Sequence, residues 1–172
     1  MCIRDRLDVR FVVNTIAPYR LTQRLLPALG TTGRVVNLSS AAQASVNMKA
    51  FCGDAKLSDS AAYAQSKLAI TAWSRGLAQR LGPQGPMIVS VNPGSMLGTK
   101  MVRDAYGMPG GDVGIGAEIL VRAALGDDFA SASGKYFDND AGRFASPHPD
   151  ALDPKKIETV VNAIEGLLDS PA

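Results

Sequence analysis

The chain has one histidine, His148, and two cysteines, Cys2 and Cys52, placed far apart. That scarcity excludes a multi-histidine metal centre and any CxxC zinc or redox pair. No unbroken apolar run reaches the roughly 18 residues of a membrane-spanning helix, so none is expected. The formal net charge is only +2, and no dense Lys/Arg segment interleaved with aromatics occurs. Neither nucleic acid nor an anionic membrane is therefore an expected partner. The opening Met-Cys-Ile-Arg-Asp-Arg lacks the apolar stretch of a secretory signal. A cytoplasmic protein with reduced thiols is expected. Also absent is a Gly-x-Gly-x-x-Gly turn leading from a strand into a helix, the usual cradle for a dinucleotide pyrophosphate. Gly114-Ile-Gly116 follows no strand and does not supply it.

What is present is enough for one domain: 172 residues of ordinary apolar content. Apolar residues at helical spacing from Leu7 to Leu29 predict a long core-facing helix stopped by Gly30. Pro18 lies inside it and has no N–H for the Asn14 carbonyl four residues back, so it either frees that carbonyl or simply kinks the helix. Arg34-Val-Val-Asn-Leu-Ser39 reads as a buried strand. A long loop from Ala41 to Asp59 follows, which either shapes a pocket or covers an edge. Ser58, Asp59 or Ser60 then caps a helix running to Leu81, ended by Gly82-Pro83. Met87 to Asn92 is a second buried strand, so the unit is βαβ and its strands are expected to be parallel neighbours. Pro93 to Gly116 reads as a lid-like irregular stretch, Ala117 to Leu125 as a helix, Gly134 to Phe137 as a last short strand, and Pro154 to Leu168 as a closing helix.

The chemistry collects around Ser60-Ala-Ala-Tyr63-Ala-Gln-Ser-Lys67. Tyr63 and Lys67 are one helical turn apart, about 6 Å of rise, and so share a face. An ammonium that stays charged there favours the deprotonated phenol and suits the pair to moving protons. Ligands of open parallel sheets bind beyond the carboxyl ends of the strands. Ser39-Ser40 and Pro93-Gly94 end the two strands there, beside the helix that carries Tyr63. In Asp138-Asn-Asp140 the polar side chains read as turn caps rather than metal ligands. His148 reads as a surface-loop residue, and Cys52 has no evident activating base.

Together, Tyr63-Ala-Gln-Ser-Lys67, Val35-Val-Asn-Leu-Ser-Ser40, Val91-Asn-Pro-Gly94 and the Asn14 helix resemble the short-chain dehydrogenases/reductases. The look is closest to bacterial members of the retinol-dehydrogenase-like branch. The resemblance implies an α/β Rossmann-type doubly wound parallel sheet, and hydride transfer between NADP or NAD and a small-molecule alcohol/carbonyl substrate. Residue by residue, it implies that Tyr63 exchanges the substrate proton and Ser40 hydrogen-bonds the carbonyl oxygen. Lys67 would bind the nicotinamide ribose, and the main-chain carbonyl of Asn14 would hold a water that links Lys67 to solvent. Pro93, Gly94 and Thr99 would contact the cofactor, although the family's threonine usually falls one residue earlier, at Gly98.

The family's first strands and its Asn-Asn-Ala-Gly strand end are missing. The expected organisation is thus an atypical leader at 1–6 followed by the C-terminal catalytic portion at 7–172, the sheet incomplete and the chain inactive alone. The complete protein is expected to form a homo-oligomer. Two other functions remain open: a non-catalytic dimerisation module built on the two long helices, and an epimerase or dehydratase using the same Tyr63/Lys67 pair.

Overall fold

The computed structural model describes residues 7–169; the expected leader lies outside them. Asp8 opens the first helix by accepting the Arg10 N–H, and α1 (Val9–Phe11) then widens into a π turn over Val12–Ile16 before continuing as α2 (Ala17–Leu29). The expected helix is there, but not as a uniform coil. Pro18 gives the Asn14 carbonyl no donor four residues on, and just before it the Ala17 N–H bonds to Val12, five residues back. Gly30, at φ 58°, ends the run.

Strand β1 (Arg34–Leu38) follows, then α3 (Met48–Phe51), inside the stretch expected to be loop. Ser58 caps α4 (Asp59–Leu81) through its hydroxyl on the Ala61 N–H, and β2 (Met87–Asn92) returns parallel to β1, in register from Arg34 opposite Met87 to Leu38 opposite Val91. Helix α5 (Lys100–Tyr106) and the first turn of α6 (Val113–Leu125) occupy the segment read as irregular to Gly116, and the rest of α6 is the helix expected over 117–125. The strand expected near Gly134 to Phe137 runs Tyr136–Asp138 (β3), parallel to β2, and a further strand without a sequence signal, β4 (Arg143–Ala145), pairs with it antiparallel. Helix α7 (Pro154–Asp169) closes the chain.

The sheet order is β1-β2-β3-β4, an open and mostly parallel α/β arrangement of Rossmann-like form. All six residues of β2 are buried, because helices cover both faces. Met87, Val89 and Val91 pack with Ile119 and Ala123 of α6 and with Phe129 and Phe137. On the other face Ile88 meets Phe11, Tyr19, Trp73, Leu77 and Ile164, from α1, α2, α4 and α7. Each large side chain buried this way contributes on the order of 1.5–3 kcal/mol. Trp73 is wholly buried, stands edge-on to Tyr19 with ring centroids 5.4 Å apart, and has no partner for its indole N–H. The Tyr19 hydroxyl donates to Glu165 at 2.5 Å, fastening α2 to α7. Burial, then that carboxylate, push the Tyr19 phenol above its usual range. At the opposite side of the sheet β1 is an edge strand, and its last residue, Leu38, is 46% exposed.

Candidate active site

Capping by Ser58 starts α4 so that Tyr63 and Lys67 fall in its second and third turns, beside the carboxyl ends of β1 and β2. The Lys67 Nζ donates to the main-chain carbonyl of Leu38 at 2.9 Å and sits 5.6 Å from the centre of the Tyr63 ring. Burial of this side chain lowers its pKa to about 8. At pH 7 the cation therefore still outnumbers the neutral amine by about ten to one.

Both residues line a cavity of about 250 Å³ together with Ser39, Pro93, Gly94 and Thr99. The rest of its wall is apolar: Met96, Leu97, Met101, Val102 and Tyr106, from the turn after β2 and from α5. A second cavity, about 260 Å³ between Val46, Leu68 and Val160, is as large but contains none of the residues singled out by the motifs. Chemistry, not volume, separates the two. Gly94 has φ 133°, a conformation L side chains rarely adopt, so a bare backbone faces the cavity there. Thr99 is the N-cap of α5, its hydroxyl accepting the Val102 N–H at 3.4 Å.

Asn14 and Ser40 are not among the lining residues. Side chains alternate along β1, and its continuation Ser39 faces α4, where its hydroxyl meets Thr71 Oγ1 at 2.6 Å. Ser40 lies two residues beyond the end of β1. Its hydroxyl accepts the Ala42 N–H at 3.2 Å and its carbonyl accepts the Tyr136 hydroxyl at 3.1 Å. Burial, followed by the charge of Asp138, pushes the Tyr136 phenol up to about 12, so it stays a hydroxyl donor. Asn14 approaches the pair from behind. Its Nδ2 donates to Ser66 Oγ at 3.0 Å, Ser66 donates to the Tyr63 carbonyl at 2.7 Å, and Thr15 Oγ1 donates to the Ser66 carbonyl at 2.9 Å.

Ser66 and Tyr136 carry no sequence signal of their own. Ser66 lies between Tyr63 and Lys67 in the motif, and its complete burial with its bonds to Asn14 and to the Tyr63 carbonyl makes it a strut. His148 accepts the Asp150 N–H through Nδ1, a short-turn cap. Burial, then Asp54, raise the Cys52 thiol, which leaves it a poor nucleophile. Among the described residues no three His, Cys, Asp or Glu side chains are grouped to hold a metal, and no helix is long and apolar enough to cross a membrane.

These residues fit the nicotinamide and ribose end of a dinucleotide. The bare Gly94 backbone permits close approach of a flat ring, and the Lys67 cation and the Tyr63 hydroxyl offer donors to a sugar.

An open, mostly parallel sheet with its candidate chemistry at the carboxyl ends of the strands defines a Rossmann-like α/β protein. Within that class, the chain belongs to the short chain dehydrogenase family, whose model matches residues 3–110. It is similar to retinol dehydrogenase 12 of Mus musculus, 32% identical over 146 residues that cover 77% of this chain and 46% of that protein. Short-chain dehydrogenase TIC 32 A, chloroplastic, of Brassica napus is 30% identical over 156 residues, covering 77% and 49%. Among solved structures, an uncharacterised protein from Mycobacterium paratuberculosis superposes with a TM-score of 0.73 over 96% of this chain and 61% of its own, at 24% identity, a likeness of fold. A short chain dehydrogenase from Salmonella enterica serovar Typhi gives 0.58 at 28% identity, covering 75% and 51%. The chain spans about half the length of the curated relatives it matches.

Proposed function

We propose that the protein is an NAD(P)-dependent oxidoreductase that moves a hydride between the cofactor and an alcohol/carbonyl substrate, with residues 7–172 as its catalytic portion. The observation that carries this reading is the convergence of Tyr63, Lys67 and Gly94 on one cavity at the rim of the parallel sheet. The bound nicotinamide supplies or takes the hydride. Tyr63 gives the proton to the carbonyl oxygen in reduction and takes it from the alcohol in oxidation. Lys67, cationic at neutral pH and held by the Leu38 carbonyl, stabilises the phenolate left behind and binds the ribose. Ser40 hydrogen-bonds the substrate oxygen once its hydroxyl leaves the Ala42 amide. Asn14 acts through its main-chain carbonyl as the outlet of the proton path, with its side chain braced on Ser66. Pro93, Gly94 and Thr99 hold the nicotinamide end of NADP or NAD.

The Met96, Leu97, Met101 and Tyr106 wall suits an apolar substrate, and four of the matched relatives are named for retinol. Residence in the cytoplasm accords with this chemistry. Association into a homo-oligomer is supported by exposed Val9, Val13, Leu21 and Leu25 on α1, the π turn and α2. Helix α4 is mostly buried and offers little free surface of its own for a four-helix contact.

The test is Tyr63→Phe in a chimera joining residues 7–172 to the glycine-rich first half of a short-chain dehydrogenase, assayed with NADH and NADPH on aldehydes. Loss of about 10²–10⁴-fold in turnover is expected for removal of a general acid. Undiminished turnover would discard the reading.

A further inference from the structure

The turn between β3 and β4 does more than reverse the chain, because its side chains reach across to the segment that leaves β2. Asn139 Nδ2 donates to the Pro93 carbonyl at 2.9 Å, and the Asn139 N–H donates to the Asn92 carbonyl at 3.1 Å. Asp140 takes two donors from Ser95, the main-chain N–H at 2.8 Å on one oxygen and the hydroxyl at 2.5 Å on the other. The buried Asn92 amide bridges the same turn, donating to Asp138 at 2.8 Å and to Asp140 at 2.9 Å.

We propose that Asn139 and Asp140 are positioning residues, which fix the backbone of Pro93-Gly94-Ser95 at the height and tilt needed to meet the nicotinamide ring. The inference rests on the cofactor reading given above. Pro93 has no N–H, so its carbonyl is its only main-chain polar group, and Asn139 holds it. Ser95 is held by its N–H and its hydroxyl together. Gly94, between two anchored neighbours and with its own N–H on the Asn92 Oδ1 at 3.4 Å, presents bare backbone to the cavity at φ 133°. A glycine in such a turn samples many conformations unless its flanks are tied, and a misplacement of about 1 Å at a reacting group costs orders of magnitude. The clamp holds its charge in the working range. Burial opposes ionisation of Asp140, but the bonds from Ser95 and Asn92 outweigh it and keep the carboxyl below its usual range.

The experiment is amide NMR on the 15N-labelled 172-residue chain titrated with reduced nicotinamide mononucleotide, for wild type, Asp140→Asn, Asn139→Ala, Ser95→Ala and Ser95→Thr. In wild type the probe shifts the Gly94 and Ser95 signals along with those of Tyr63 and Lys67. Asp140→Asn, Asn139→Ala and Ser95→Ala each weaken the probe about tenfold, while Ser95→Thr, which keeps the hydroxyl, binds as wild type. Hydrogen exchange at Val36 and Val89 stays unchanged in all four, which separates a local loosening from general unfolding. Unchanged affinity in the variants overturns the proposal and leaves the cofactor reading standing; a wild-type probe that shifts Tyr63 and Lys67 but never Gly94 or Ser95 overturns the proposal together with the cofactor role of Gly94, and leaves only Tyr63 and Lys67 as cofactor contacts. A probe that shifts none of these residues removes both.

Discussion

Lys67 and Leu38 are joined by a bond from the lysine ammonium to the leucine main-chain carbonyl, 2.9 Å long. This bond ties the third turn of α4 to the last residue of β1. It holds the ammonium near the Tyr63 ring, with the Nζ 5.6 Å from the ring centre.

Burial disfavours the Lys67 cation in the folded state, so its pKa there, about 8, lies below the ordinary 10.5 of the unfolded chain. Between those values the unfolded chain binds more protons, and linkage makes stability rise with pH across the window. Below pH 8 the cost of the buried charge is fully present. Urea denaturation of wild type and Lys67→Met at pH 7, 8, 9 and 10 checks this: the difference between them narrows as the pH rises, with Lys67→Met relatively most stable at pH 7.

Ser66→Ala removes a hydroxyl that donates to the Tyr63 carbonyl and accepts from Asn14. The Asn14 amide then loses its partner, at a cost of about 1–3 kcal/mol. Equilibrium urea unfolding measures it. Asn14→Ala alone is expected to cost less, because the Ser66 hydroxyl keeps the Tyr63 carbonyl.

Gly94→Ala forces an L residue into φ 133°, although the new Cβ would meet nothing nearer than the Leu97 side chain at 3.4 Å. The penalty is therefore backbone strain rather than crowding, about 1–3 kcal/mol. A lowered midpoint in thermal denaturation is the expected result, with Gly30→Ala, also at positive φ with open space around it, falling similarly.

Val9, Val13, Leu21 and Leu25 are 63%, 59%, 60% and 46% exposed and recur at multiples of four residues, forming one apolar stripe. Sedimentation velocity of the wild-type chain is expected to show concentration-dependent association. Leu21→Glu with Leu25→Lys should leave a monomer at the same concentrations, with folding unchanged because neither side chain is in the core.

The parts of the fold legible in the sequence are those with sustained periodicity. The spacing of Ile70, Trp73 and Leu77 gave α4, the β-branched runs gave β1 and β2, and their order gave the parallel pairing. Short elements carry too few residues for a period to register. Helices α3 and α5 span four and seven residues, and β4, Arg143-Phe-Ala, is recognisable only by its pairing with β3. Helix α6 begins at Val113, four residues before expectation, because Asp112 caps it while Gly114 and Gly116 read as breakers. At the site, motif residues Tyr63, Lys67, Pro93, Gly94 and Thr99 share a cavity. The side-chain struts behind them, Ser66 and Asp140, depend on long-range contacts that local spacing does not encode.

Trp73 is the sole tryptophan of the chain, sealed beneath α2 and α7 with its ring edge-on to Tyr19. The protein thus carries its own fluorophore at the junction of three helices. Emission should begin blue-shifted and move red as soon as water reaches the indole, so one optical signal follows the opening of that seam without any added label.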